Sequence, residues 1–463
     1  MQAETNGHNV TTENEGLRLR VSYVPTPTGE YRRHQKTMRV TVEPGATPAS
    51  MPTPPMPLPV GARALIWRQD ASLGDLGIRK IFLPGAILLG PRDARIVNGV
   101  PGLPPVSPNA LGDFIQTPGT DAFDAVHTYA VVRQTFTMYQ HALGSPLPWQ
   151  WNTGGNTDPL SVFPHGLCNT MNAFYSRNQK ALRFGDFIKP GAPPHSPRVF
   201  TCRSLDIVAH ETGHAVLDGL KPQWIPVNNP LQTGGLHESF GDLTAVFLAL
   251  CQLDQVEATI AQTKANLYDK TCLADLAEEC GLALGKPNGL RNADNDFTLS
   301  EVGNEVHAIS QVFTGAIYDI LADIFAFERK PAKRDDAVVL YEVGQYLCSL
   351  LLRAIVQAPA AAATYAHVAN NMLHIAAQDG MPVQYRNFIR NRFTVREVVV
   401  SPTPLTENHQ EGMSLAPVIQ DVHGTVQNRS YCCGTMQHPE YTGAYEAIER
   451  ELAELRTALT GAK

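Results

Sequence analysis

The sequence has no Cys-x-x-Cys pair, no long basic run and no uninterrupted apolar stretch near the ~18 residues a membrane-crossing helix needs. Each absence excludes something. The cysteines (Cys168, Cys202, Cys251, Cys272, Cys280, Cys348, Cys432 and Cys433) are scattered along 463 residues. In a chain this long they read as reduced core residues rather than a disulfide framework. The adjacent Cys432 and Cys433 read as two thiols in a loop, with redox activity as the alternative. Lysine and arginine number 37 against 44 aspartates and glutamates. That mildly acidic balance argues against a dedicated binder of nucleic acid or anionic membrane. The opening residues, MQAETNGHNVTTENEG, carry no basic segment followed by an apolar one. No standard secretory signal is expected, so a cytoplasmic location is the default, with export by another route left open.

What is present suffices for two or three core-bearing regions. Residues 1 to 16 are polar, and LRLRVSYV and TMRVTVEP alternate as strands do. EPGATPASMPTPPMPLPVG is proline-rich and reads as an extended linker or surface arm. From Ala62 to Gly119 short apolar runs (ALIW, KIFL, AILLG) alternate with Gly and Pro, which predicts a β-rich region. The character changes at Asp121. DAFDAVHTYAVVRQTFTMYQHAL has helical spacing, and NAFYSRNQKALRFGDF reads as two strands around a turn. Helices are predicted in SLDIVAHETGHAVLDGL, GLHESFGDLTAVFLALC, VHAISQVFTGAIYDILADIF, VVLYEVGQYLCSLLLRAIV, AAATYAHVANNMLHIAAQ and QYRNFIRNRF. The tail after Pro402 is looser. It ends in YEAIERELAELRTAL, whose heptad-like stripe suits a helix docking on its own domain better than a two-heptad coiled coil.

The string that carries chemistry is HETGH, residues 210 to 214. Positions i and i+4 of a helix share a face, so His210 and His214 can reach one metal ion. Zinc favours such nitrogen ligands and keeps a position open for water in catalytic sites. Glu211, beside the metal rather than on it, is placed to take a proton from that water. Five residues with three fixed can match by chance. The flanks, however, are apolar (Leu205, Ile207 and Val208 before; Ala215, Val216 and Leu217 after), which predicts a buried helix where unpaired polar groups are costly. A second apolar helix, GLHESFGDLTAVF, carries Glu238 and, one turn on, Asp242. Glu238 completes a His2Glu set. Asp242 is placed to accept the other ring N–H of a zinc histidine.

HETGH followed by GLHESFGDLTA resembles the thermolysin family of gluzincin metallopeptidases. DIVAHETGHAVLD is similar to that family's core helix, and NAFYSRNQKALRFGDF to its NAFW strand and following YGDG. LRNADND, NEVHAISQVFTGAIYDIL, TYAHVANNMLHIAAQ and QYRNFIRNRF resemble its later segments. The likeness runs from about Asp121 to Val398 and is weak outside that span. It implies an activated water, with Glu211 as general base delivering the proton to the leaving amine. It implies that His307 stabilises the oxyanion, that Asn172 and the backbone of Ala173 bind the substrate main chain, and that Arg291 binds a substrate carbonyl. Ile207 and Leu290 fall where the family lines an apolar specificity pocket, which implies cleavage on the amino side of apolar residues.

There are departures. The segment GLKPQWIPVNNPLQT lacks the family's oxyanion tyrosine and offers only Trp224 nearby. His237 stands where the family has an asparagine, and can accept from His214 as one tautomer only. Val302 replaces an aspartate, which leaves Glu301 or Glu305 to orient His307. Of the family's calcium cage Asp206 matches one ligand, but Ala249 replaces another, so calcium is not expected and Asp206 is expected to be a buried, hydrogen-bonded carboxylate.

The expected fold is α+β: a thermolysin-like gluzincin with a β-rich N-terminal part, a helical C-terminal part, and the zinc helix between them. Residues 1–60 are expected to form an arm or short propeptide-like segment, 61–219 a mixed α/β domain including the HExxH helix, 220–400 a helical domain, and 401–463 an extension with a terminal helix. The expected activity is that of a zinc-dependent endopeptidase with one catalytic zinc ion. Its partner is a peptide or protein substrate, with no nucleic acid and no membrane, and the chain is expected to be a monomer. A narrowly specific aminopeptidase is one rival, though no GxMEN-like segment supplies an amine-binding acid. A zinc-containing, peptide-binding pseudo-enzyme is the other. The missing tyrosine favours it and the intact Glu211 argues against it.

Overall fold

The structure is a computed structural model and describes residues 60–71, 77–99, 102–225 and 229–398. The expected N-terminal strands and proline-rich arm, Cys432 and Cys433, and the terminal heptad stripe lie outside the described residues.

The hairpin of β1 (Gly61–Trp67) and β2 (Ile78–Pro84) pairs Gly61 with Pro84 and Trp67 with Ile78. Ala62, Ala64 and Ile66 alternate inward, which is how a strand with one wet face buries its apolar set. A mixed sheet follows. Its strands are β3 (Ile96–Asn98), β4 (Leu160–Leu167), β5 (Ala173–Ser176), β6 (Ala181–Ile188) and β7 (Arg198–Phe200). β3, β4 and β6 run parallel, β5 joins β6 antiparallel as an edge, and β7 pairs with the far end of β6. The two strands expected in NAFYSRNQKALRFGDF are β5 and β6. The stretch from Ala62 to Gly119 is less regular than its composition predicted. ALIW and KIFL form the hairpin, but AILLG makes only isolated bridges at Leu88 and Gly90. Gly85 and Gly90 have positive φ there and Pro91 lacks a donor, so no ladder propagates.

Helix α1 (Asp121–Leu143) starts where Thr120 accepts the Phe123 N–H at 3.2 Å and stops at Gly144, φ 70°. Helix α2 (Leu205–Leu220) carries HETGH and is capped by Ser204, which accepts from Ile207 N. Helix α3 (Leu231–Leu250) begins earlier than its GLHESF pattern suggested, and all twenty of its residues are buried. It packs chiefly between α2 and α6 (Val306–Glu328). Between them come α4 (Leu253–Thr263), the short pair β8 (Asp275–Leu276) and β9 (Arg291–Asn292), and α5 (Glu278–Ala283). Helices α7 (Asp336–Gln357), α8 (Tyr365–Gln378) and α9 (Val383–Val395) complete a mixed α and β chain whose C-terminal part is helical. One apolar cluster runs through the described residues from Ala62 to Val398. Helices α6 and α7 are long and apolar enough to cross a membrane by length and composition, and most of each is buried inside the domain.

Candidate metal centre

A helix buried on every side must satisfy each polar side chain from its neighbours. On α3 this requirement builds the site. Ser239 Oγ lies 2.9 Å from Thr314 Oγ1, and Thr244 Oγ1 lies 2.7 Å from the Tyr139 hydroxyl. Gln232 accepts from Tyr365 N and Thr233 donates to Ala363 O, while His237, Glu238 and Asp242 turn to the HETGH face of α2. Asp242 Oδ1 is 3.0 Å from His210 Nδ1, and His237 Nδ1 is 2.7 Å from His214 Nδ1. With both Nδ1 atoms so engaged, both Nε2 atoms turn to Glu238: His210 Nε2 is 3.5 Å from Oε2 and His214 Nε2 is 3.7 Å from Oε1. Ligand atoms of His210, Glu211 and His214 lie within 4.8 Å of one another. All four residues are buried. This donor set can hold a metal ion.

Two glycines allow the helices to come this close. A Cβ on Gly213 would sit 2.4 Å from Thr244 Oγ1 and 3.3 Å from Gly241 Cα. A Cβ on Gly241 would sit 2.6 Å from the His210 ring. Both lie in plain view in HETGH and ESFGD, but their role depends on the partner helix and was not read from the sequence.

The electrostatics suit a cation. Burial opposes the charge on Glu238, yet His307, His214 and hydrogen bonds from His210 and His307 outweigh it and hold the carboxyl well below the usual carboxylate range. Burial drives His214 well below the ordinary imidazole value, so it is neutral and ligand-ready. Burial likewise pushes His237 down to about 3. The Nδ1–Nδ1 bond then needs one donor and one acceptor. A His214 that uses Nε2 as a ligand donates from Nδ1, and His237 accepts. Burial works against the charge on Asp242, but Arg291 and His210 overcome it and lower its pKa.

His307 comes from the first turn of α6. Its Nε2 lies 3.0 Å from Glu238 Oε2, so it joins the same cluster. Of the two acids that could orient it, Glu305 does so. Its Oε1 lies 2.8 Å from His307 Nδ1 and accepts the His307 N–H, while Oε2 accepts from Ala308 N, so one side chain caps α6 and sets the ring. Glu301 instead accepts from Thr298. Trp224 is no substitute for the absent tyrosine: it is fully buried and its indole N–H donates to Pro359 O at 3.1 Å.

Beside the metal-site residues is a cavity of about 120 Å³. Asn172, Ala173, Ile207, Leu290 and Arg291 all line it, together with Met171, Cys280 and Leu284. Ala173 starts edge strand β5 and Asn172 precedes it, with Asn172 Oδ1 accepting the Ala173 N–H at 2.8 Å. The Arg291 guanidinium is anchored on Asp242, with Nε 2.8 Å from Oδ2 and Nη2 2.5 Å from Oδ1. His210, Asp242 and Arg291 therefore form one linked row. Asp206 is a buried carboxylate at the cavity floor and accepts from Gln69 and from Ala277 N.

No family model matches the chain and no curated protein matches it. Among solved structures it is similar to the precursor of protealysin, a metalloproteinase from Serratia proteamaculans, with 16% identity over 68% of this chain and 89% of that one and a TM-score of 0.43.

Proposed function

We propose that the chain is a zinc-dependent endopeptidase. The observation that carries this is the convergence of His210 Nε2, His214 Nε2 and the Glu238 carboxylate, with each histidine's other nitrogen already engaged. Two atoms each ~2.1 Å from one zinc at the tetrahedral angle are roughly 3.4 Å apart, close to the 3.5 and 3.7 Å found here. Zinc bound there supplies a Lewis acid and lowers the pKa of water.

The chain's own residues supply the rest. Glu211, on α2 between the two histidines, takes the proton from the attacking water and passes it to the leaving amine. His307, oriented by Glu305, donates from Nε2 to the oxygen that becomes negative in the transition state. Edge strand β5 receives the substrate main chain at Ala173 and the preceding Asn172, as a sheet edge can. Arg291, fixed by Asp242, reaches a substrate carbonyl. The cavity walled by Met171, Ile207, Cys280, Leu284 and Leu290 takes one medium-sized apolar side chain, and the resemblance to the thermolysin family implies cleavage on the amino side of such residues.

The test is cleavage of a diverse peptide mixture read by mass spectrometry. Three samples are compared: the protein as purified, the protein after chelation with zinc add-back, and Glu211→Gln. Cuts before apolar residues that need zinc and vanish in the variant are expected. Cuts confined to N-terminal residues indicate the aminopeptidase. One zinc per chain with no cutting in any sample overturns the assignment in favour of a peptide-binding pseudo-enzyme, the alternative that the burial of Trp224 favours.

A further inference from the structure

Three buried carboxyl groups meet one turn before His210. Asp70 follows β1, Asp206 lies in the first turn of α2 and Glu278 opens α5; their oxygens come within 4.8 Å of one another. The residues are 2, 3 and 5% exposed. Among the described residues no lysine or arginine forms an ion pair with any of the three. Carboxylates this close in a dry interior cannot all ionise, so protons or a cation must neutralise them.

On its Asp206 and Glu278 side, the place a cation would take is filled. Gln69 Nε2 is 3.1 Å from Asp206 Oδ2, 3.4 and 3.3 Å from the two Glu278 oxygens, and 3.0 Å from the Cys272 carbonyl oxygen. Carboxylate and carbonyl oxygens are what a hard cation seeks, but here they surround an N–H donor. Backbone donors serve the cluster too: Ala277 N donates to Asp206 Oδ2 at 3.2 Å and Glu279 N to Asp70 Oδ2 at 2.7 Å.

We infer that Gln69 stands in for a bound cation: its amide, with protons kept by the carboxyl cluster, ties the residues after β1 to the start of α2 and to segment 272–279 without any ion. That segment lines the metal-side cavity through Leu276 and Ala277, and Asp206 lines it too. Gln69 is thus a positioning residue for the cavity.

The surroundings keep the protons in place. Asp242 and Asp275 face Asp206, while Glu279, itself beside Arg203 and Asp124, faces Asp70. Burial, then Asp70 and more weakly Asp242 and Asp275, push Asp206 well above the carboxylate range; burial, then Asp206 and Asp70, push Glu278 up to about 11; burial raises Asp70 against hydrogen bonds from Ser204 and Glu279. Groups raised in the folded state bind more protons there than in the unfolded chain. Their stabilisation is full on the acid side and drains away as pH rises from the ordinary carboxyl range toward about 11.

The experiment reads thermal melting of the full, zinc-loaded chain, freed of other ions, at neutral and alkaline pH, with and without excess calcium. Because it measures stability and not cleavage, its outcome is independent of the peptidase assignment. The melting temperature is expected to ignore calcium and to fall by roughly 5 °C on going alkaline. Glu278→Gln should flatten that fall. Gln69→Glu, which adds a fourth carboxyl, should melt lower and recover with calcium. If that variant does not fold, the wild-type calcium titration and the Glu278→Gln profile still decide. A wild-type melting temperature that climbs saturably with calcium overturns the inference and gives the cluster, including Asp70 Oδ1, which has no hydrogen-bond partner among the described residues, to a cation. So does a Glu278→Gln profile as steep as the wild type.

Discussion

A single methyl group on Gly241 is expected to disable the metal centre. The added carbon would stand 2.6 Å from His210 Cε1 and Nδ1 and 2.8 Å from Nε2. Ordinary contact needs about 3.6 Å, so the ring must retreat by about 1 Å. Both helix backbones are packed on all sides, so the imidazole gives way first. Metal–ligand distances tolerate only about 0.2 Å, and the shift also pulls Nδ1 from Asp242 at 3.0 Å. We expect Gly241→Ala to lower zinc affinity by at least ~100-fold and to cost about 1–3 kcal/mol of stability. Gly344→Ala is the control. Its Cβ meets Leu250 Cβ at 2.9 Å, at the far end of α3, so it crowds a core without touching a histidine. Chelator competition gives the zinc affinity of each variant and thermal melts give its stability. Gly344→Ala should lose stability alone. A Gly241→Ala protein that binds one zinc with wild-type affinity would refute the reasoning, because His210 could not then be a ligand held at that distance.

Four further outcomes are expected. Glu305→Gln keeps an acceptor oxygen for His307 Nδ1 but removes the carboxylate charge that favours the His307 cation able to donate from Nε2, so kcat should drop ~10- to 100-fold with KM and zinc content little changed, read by steady-state kinetics on a peptide. His237→Phe removes the acceptor for His214 and should weaken zinc binding ~10- to 100-fold, while His237→Asn restores an acceptor and most of the affinity, read by chelator competition. Burial opposes charge on Asp124, but hydrogen bonds from His165 and Arg203 prevail and depress its pKa. Its stabilisation is present above the ordinary carboxyl range and is lost as pH falls through the depressed value; Asp124→Asn should cost about 3–5 kcal/mol at neutral pH and less in acid, read by urea melts across pH. Arg386 is 1% exposed, and among the described residues its three guanidinium nitrogens have no hydrogen-bond partner. Arg386→Met should leave the melting temperature unchanged or raise it, and a fall of several degrees would reveal a partner for the cation.

The sequence by itself determined whatever is local. Helical spacing and the capping residues Thr120 and Ser204 delimit α1 and α2 because a helix start needs only an acceptor two or three residues before its free N–H groups. HETGH places two imidazoles on one face for the same reason: four residues make about one turn. Glu238 and Asp242 could be read as one face of a second helix. Partners that lie far apart in the chain were decided only by the tertiary structure. Glu305, and not Glu301, reaches His307 because it is also the cap of α6. Trp224 turns away to Pro359, 135 residues on, and Gln69 meets Asp206 across 137 residues. AILLG failed as a strand although its composition favoured one, since a ladder needs a neighbour with donors in register. Gly241 looks like any helical glycine until α2 lies against it. Periodicity along a chain records which face of an element is buried, but not which side chain of another element arrives there; only packing at contact distance settles that choice.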